Sequence, residues 1–265
     1  PNGKKVAFRV MAGEDGSLAD IYIINSDGND LKRLTYFNGK STSRRMYTDI
    51  AGWKDNDHVI ISTDSMSTVT AMTLLYEVNI SSGIFKSLPL GPAAHIMYSG
   101  DSIFLGRDTW EMPHWKRYRG GRRGNIWKGK QGGTYSKFLD LETHVSSPAI
   151  INQSIYFIKD LDGIGQIYSV SFDADFLIKH TDFSDYYPRH LSSDGERAVF
   201  SKAGNLFLFK PENNSIEDIT PDLHTGFTTL MEKNVDPAKY LEEFIPNTTS
   251  EIILTVVRGK GYISG

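Results

Sequence analysis

A strand-turn-strand phrase recurs along the chain at a spacing of roughly 43 to 54 residues, the length of a four-stranded propeller blade. Each occurrence has a short apolar run, a turn, a second run with an aromatic near its centre, and a third, more polar run. The first runs are Lys5–Val10, His58–Ser62, Ser102–Gly106, Ser154–Ile158 and Arg197–Ser201, with a sixth at Glu251–Thr255. The second runs are Asp20–Ile24, Leu75–Val78, Asn125–Trp127, Gln166–Val170 and Asn205–Phe209. Third runs follow at Lys32–Thr35, Phe85–Leu88, Tyr135–Leu139, Leu177–His180 and Ile216–Ile219. Innermost strands are expected just before the first runs, at Thr48–Trp53, His95–Tyr98, Ser147–Ile151 and Pro188–Ser192. The turns agree: Ser26-Asp27-Gly28, Ser193-Asp194-Gly195 and Asp162-Gly163 each pair an Asx-type residue with a glycine that accepts positive φ. The expected fold is all-β, a propeller of four-stranded antiparallel blades.

The repeat weakens after about Pro221. Residues 222–240 are polar, contain Pro237 and lack paired strand patterns. They read as a linker to a second propeller that opens over residues 241–265; an insertion within one ring is the alternative. The opening Pro1-Asn2-Gly3 reads as a turn after an innermost strand, and Gly261–Gly265 as a second strand without a third. The expectation is a segment of a longer protein, cut through blades at both ends.

Composition narrows the function. A net charge of −3 gives no global argument for nucleic acid. Without cysteine there is no disulfide framework, thiolate nucleophile or thiolate metal site. No apolar stretch approaches the roughly 20 residues that a membrane-spanning helix needs, and no signal-peptide pattern is visible, so a cytoplasmic protein is expected.

Catalytic signatures are scarce. The sequence has no Gly-x-Ser-x-Gly elbow and no Walker-type loop. Its seven histidines never adopt a metal-ligand spacing. His144 and His190 flank expected innermost strands, where they could face the channel, but a satisfied structural histidine is the simpler account of each. Asp160-Leu161-Asp162-Gly163 resembles the start of a calcium loop but lacks the distal glutamate, and a tight hairpin turn explains it. An insert at residues 108–124 interleaves Arg117, Arg119, Arg122 and Arg123 with Trp110, Trp115 and Tyr118. Such a pattern suits single-stranded nucleic acid, but a packing loop stiffened by aromatics is the simpler account in a slightly acidic chain. One further cluster, Lys40 to Asp49, lies between an outer strand and the next innermost strand. Its adjacent Arg44 and Arg45 would then sit at the channel mouth, as forked donors matched to a carboxylate or phosphate. On the residues alone, a solvated loop with two charges is the simpler reading of the pair.

These strings together resemble the N-terminal propeller region of the tricorn protease family of archaeal peptidases. The resemblance rests on Ile23 to Arg45, on Gly91-Pro92-Ala93 with His95-Ile96, and on Pro113-His114-Trp115-Lys116 with Tyr118-Arg119-Gly120-Gly121. Thr143–Pro148, Asp162–Ser169 and Asp185–Leu191 extend it, whereas residues 222–245 match least. It implies blades two to six of a six-bladed propeller over residues 1–223, then a linker and the first strands of a seven-bladed one over residues 224–265. It also implies a homo-oligomeric, homohexameric serine endopeptidase acting on proteasome-released peptides, with no cofactor. Its partners would be peptide substrates and other domains and subunits of the same protease, not nucleic acid or membrane. The catalytic residues would lie outside this chain. Arg44 and Arg45 would match the family's arginine pair, which anchors the C-terminal carboxylate of a bound peptide. Two other classes are a TolB-like interaction propeller, suggested by the Asp-Gly turns, and the propeller filter of a prolyl-oligopeptidase-type hydrolase.

Overall fold

The computed structural model describes residues 2–12, 18–37, 47–67, 69, 72–111, 117–160, 163–222, 236–249, 251–257 and 260–264. The chain divides into two compact units, Pro1–Pro221 and Asp222–Gly265.

The first unit holds five blades. Blade one comprises β1 (Lys5–Ala12), β2 (Leu18–Asn25) and β3 (Lys32–Arg33). Blade two comprises β4 (Thr48–Trp53), β5 (His58–Thr63), β6 (Leu74–Asn79) and β7 (Phe85–Ser87). Blade three has β8 (His95–Ser99), β9 (Ser102–Arg107), β10 (Asn125–Lys130) and β11 (Ser136–Leu139). Blade four has β12 (Val145–Ile151), β13 (Ser154–Lys159), β14 (Gln166–Ser171) and β15 (Ile178–Lys179). Blade five has β16 (Pro188–Ser193), β17 (Ala198–Lys202), β18 (Asn205–Lys210) and β19 (Ser215–Asp218). Blade one has three strands among the described residues and blades two to five have four each, paired in chain order. All pairings are antiparallel. The leading strands β4, β8, β12 and β16 touch one another in succession, as strands around a central channel do.

The strand runs are continuously apolar because blades two to four are buried on both faces. In β5, Val59 and Ile61 join Ile21 and Ile23 of blade one, while Ile60 joins Ile103 and Leu105 of blade three. β9 follows the same order: Ile103 and Leu105 face blade two, and Phe104 turns to Val145, Ile155 and Phe157 of blade four. In β13, Tyr156 and Ile158 face Ala198 and Phe200 of blade five. Successive side chains therefore enter alternate inter-blade cores, as the period of two requires. Burying each such side chain is worth roughly 1.5–3 kcal/mol. Among the described residues the end blades lack this second cover. Val6, on the same face as Phe8, is 49% exposed, and Val199 and Leu206 are 41% and 42% exposed.

The leading strands carry bulges at matching places, after Ile50 in β4, Ser146 in β12 and Arg189 in β16. In β4 the unpaired residue is Ala51, and at the adjoining Gly52 a Cβ would lie 2.3 Å from the Ile96 carbonyl oxygen, so only glycine admits the neighbouring strand. Ser147 and His190 fill the other two with φ of 46° and 56°. The expected turns form: Gly28 and Gly195 have φ of 87° and 101°.

The second unit is a three-stranded antiparallel sheet of β20 (Leu241–Pro246), β21 (Ile253–Val257) and β22 (Lys260–Ser264). A 3-10 turn at Pro237–Tyr240 precedes it, capped by Asp236, whose Oδ1 accepts the Ala238 N–H at 3.1 Å.

Candidate functional site

Because strand direction alternates, the beginnings of β4, β8, β12 and β16 share one face with the far ends of β5, β9 and β13. The described ends of the connections 34–47, 64–73, 108–124 and 180–187 therefore gather at one mouth of the channel. Arg44 and Arg45 belong to the first of these and lie outside the described residues. The two feet of their connection are described, and a buried carboxylate holds each. At the outgoing foot, Asp20 Oδ1 accepts the Phe37 N–H at 3.0 Å and the Thr35 hydroxyl at 2.8 Å, while Oδ2 pairs with Arg33 at 2.5 Å. At the returning foot, Asp64 Oδ1 accepts the Tyr47 N–H at 2.9 Å, and the Asp64 N–H donates to the Tyr47 carbonyl at 3.0 Å. Asp20 is 5% exposed and Asp64 1%. The same outgoing position in blade four is filled by neutral Gln166, whose Oε1 accepts the Phe183 N–H and the Thr181 hydroxyl, both at 2.8 Å.

Across the mouth, blades three, four and five meet on Glu111. Its Oε1 accepts the His190 N–H at 2.9 Å and the Ser147 hydroxyl, so one carboxylate oxygen caps both bulges. Its Oε2 lies 3.7 Å from Arg189. Beside it is a cavity of about 20 Å³ lined by Glu111, His144, Ser146, Asp160, Tyr187 and Arg189, among others. That is room for about one water molecule. Asp160 Oδ2 accepts the Arg117 N–H at 2.5 Å and the Tyr187 hydroxyl at 3.1 Å, and its buried Oδ1 has no hydrogen-bond partner among the described residues.

The two histidines singled out earlier part company here. His144 is buried: Nδ1 accepts the Gly124 N–H at 2.9 Å, so Nε2 is the nitrogen that donates to the Trp110 carbonyl at 2.7 Å. Desolvation pulls its pKa down, partly offset by that carbonyl. It is a structural histidine, locking the insert to blade four. His190 contributes its backbone to the Glu111 cap. A third, His95, stands 2.7 Å from the Thr109 hydroxyl, and desolvation lowers its pKa to about 4. Within the insert, Arg123 forms a forked pair with Asp140 at 3.1 Å for both bonds, and Arg122 approaches Asp108 at 3.7 Å. Residues 112–116 of the insert and Leu161 and Asp162 of the calcium-like string lie outside the described residues. Among the described residues no cluster of three or more His, Asp or Glu could hold a metal, and no helix is long and apolar enough to cross a membrane.

Comparison with known proteins assigns the architecture. The family model of the tricorn protease N-terminal β-propeller domain matches residues 1–215. The chain belongs to that family. It is 46% identical to the tricorn protease of Thermoplasma acidophilum over 264 residues, covering 99% of this chain and 24% of the relative. A crystal structure of the tricorn protease superposes with a TM-score of 0.77 at 44% identity, covering 99% of this chain and 25% of that one. The chain thus spans about a quarter of the length of these tricorn relatives. A crystal structure of TolB from Acinetobacter baumannii superposes with a TM-score of 0.55 at 15% identity, covering 100% of this chain and 61% of that one. That likeness is one of fold alone.

Within this tricorn-family propeller, the carboxylates at the mouth are the residues that reading by motif did not find. A signal for them exists. Thr63-Asp64, Arg107-Asp108 and Lys159-Asp160 each place an aspartate directly after the second strand of a blade.

Proposed function

We propose that this chain is the peptide-guiding propeller part of a tricorn-like serine protease that degrades proteasome-released peptides in the cytoplasm. In this reading residues 1–223 are blades two to six of a six-bladed ring, and residues 224–265 are a linker and the first strands of a seven-bladed one. A further blade would cover the exposed apolar faces of blades one and five, which include Val6, Val199 and Leu206, and remove two open flanks. The parent enzyme is a homohexamer whose catalytic Ser/His group lies outside this chain, and whose other domains and subunits pack against this propeller.

Arg44 and Arg45 anchor the C-terminal carboxylate of the bound peptide. The observation that carries the reading is the 46% identity to a tricorn protease along 99% of the chain. The carboxylate-held feet on the mouth face support it. A guanidinium fork gives two parallel charge-assisted bonds to one carboxylate, each worth roughly 1.5–3 kcal/mol before solvent screening reduces it. Fixing the free end sets the distance to the scissile bond and favours short products of set length.

The test uses the full-length enzyme with Arg44→Ala/Arg45→Ala, and compares a free-acid peptide with its C-terminal amide. The double variant is expected to lose the preference for the acid, and each single variant to lose less. A double variant that still prefers the acid as strongly as the wild type removes the pair from this role.

A further inference from the structure

We propose that one ordered water molecule is a built part of the channel mouth. It bridges Asp160, Glu111 and Arg189, ties blades three, four and five to one another, and holds the Arg189 guanidinium in place on the innermost strand of blade five. The inference is independent of the role proposed for Arg44 and Arg45.

Three observations meet at one place. Asp160, directly after β13, is 6% exposed, and its buried Oδ1 has no hydrogen-bond partner among the described residues. Its other oxygen is thinly served. Oδ2 accepts the Arg117 N–H at 2.5 Å, but the Tyr187 hydroxyl, 3.1 Å away, has a single proton and lies nearer the Gly163 carbonyl, at 2.5 Å. A buried carboxylate short of donors is costly. The second observation concerns Arg189 on β16. Its guanidinium makes no hydrogen bond among the described residues; it lies over the Tyr187 ring at 5.9 Å and stands 3.7 Å from Glu111 Oε2. That gap is too long for a direct hydrogen bond and short enough for one water to serve both groups. The third is the cavity of about 20 Å³, which Glu111, Asp160 and Arg189 all line. One water needs roughly 10–15 Å³ and two to four polar partners.

The surroundings choose among occupants. His144 also lines the cavity, but both its ring nitrogens are committed, to the Gly124 N–H and the Trp110 carbonyl. Two carboxylates work against an anion. The guanidinium works against a cation, and no group of three or more His, Asp or Glu among the described residues could hold a metal. A small neutral molecule that both donates and accepts fits. Water donates to Asp160 Oδ1 and Glu111 Oε2 and accepts from Arg189, and the Ser146 hydroxyl in the lining can turn toward it. Glu111 comes from the insert after β9, Asp160 from the end of β13 and Arg189 from β16, so each blade supplies one partner.

The experiment is a crystal structure of the full-length protein, wild type and Asp160→Leu, at a resolution that shows ordered water. In the wild type one peak is expected within roughly 2.5–3.2 Å of Asp160 Oδ1, of Glu111 Oε2 and of an Arg189 guanidinium nitrogen. Leucine keeps the branched shape but removes the acceptor, so the peak should be lost and Arg189 should close on Glu111 to within about 3.2 Å. A wild-type structure with no peak, or with Arg189 bonded directly to Asp160 in its place, overturns the proposal. So does a peak with six or more oxygen ligands at roughly 2.3–2.6 Å, the pattern of a calcium ion. A peak that survives unchanged in Asp160→Leu overturns it as well, because Asp160 is then not what holds the water. If Asp160→Leu does not fold, the wild-type density alone decides.

Discussion

Glu111 ties three blades together at the channel mouth, and its removal makes a local prediction. Glu111→Ala takes the acceptor from the His190 N–H, held at 2.9 Å, and from the Ser147 hydroxyl. It also leaves Arg189 without its partner at 3.7 Å. Leaving a donor unsatisfied costs roughly 1–3 kcal/mol. The His190 amide is near solvent and the Ser147 hydroxyl can turn, so the lower half of that range applies to each. The partly exposed ion pair adds no more than about 1 kcal/mol. At the low end for both donors, and with nothing from the ion pair, the total is about 2 kcal/mol, concentrated on the bulges of β12 and β16. Hydrogen exchange reads it directly: the His190 amide should exchange about 30-fold faster, since each 1.36 kcal/mol is a factor of ten. Glu111→Gln keeps the oxygen that caps both bulges, so it should recover most of the protection. An exchange rate at His190 within about threefold of wild type in Glu111→Ala would show that the cap contributes little, and the reasoning would fail.

Acid should weaken the fold through its histidines. The folded-state pKa of His95 is lowered to about 4, against 6.5 for an ordinary imidazole. Between those values the unfolded chain binds the proton first, so stability is lost as pH falls from 6.5 toward 4 and is flat above 6.5. His144 and His180 are shifted in the same direction by desolvation. Denaturation midpoints across that window should fall with pH, and His95→Asn should flatten the slope. Phe157 is fully buried in the core between blades three and four. Phe157→Ala should cost about 3–5 kcal/mol by chemical denaturation, a loss that Phe157→Leu should largely avoid.

Much of the fold was legible in the sequence because a propeller repeats itself. The same pattern of apolar run, turn and aromatic run recurs, so the starts of β5, β9 and β13 could be placed from His58, Ser102 and Ser154. Outer strands were less legible. The runs Lys32–Thr35 and Leu177–His180 reduce to two paired residues each, since a polar edge run makes a weaker pattern than a buried one. The mouth was the least legible part. Glu111 meets His190 across 79 positions, and Asp20 serves Phe37 across 17, distances at which no local pattern operates. Burial of His144 likewise depends on the insert folding back to present the Trp110 carbonyl. The arginine pair itself came from resemblance to the family and not from local pattern.

The most direct test of the account is a structure of the full-length protein bound to a peptide with a free C-terminus. The account predicts the terminal carboxylate at the mouth of this propeller, within roughly 2.7–2.9 Å of guanidinium nitrogens of Arg44 or Arg45. A bound peptide whose carboxylate lies elsewhere, with both arginines facing solvent, would contradict it.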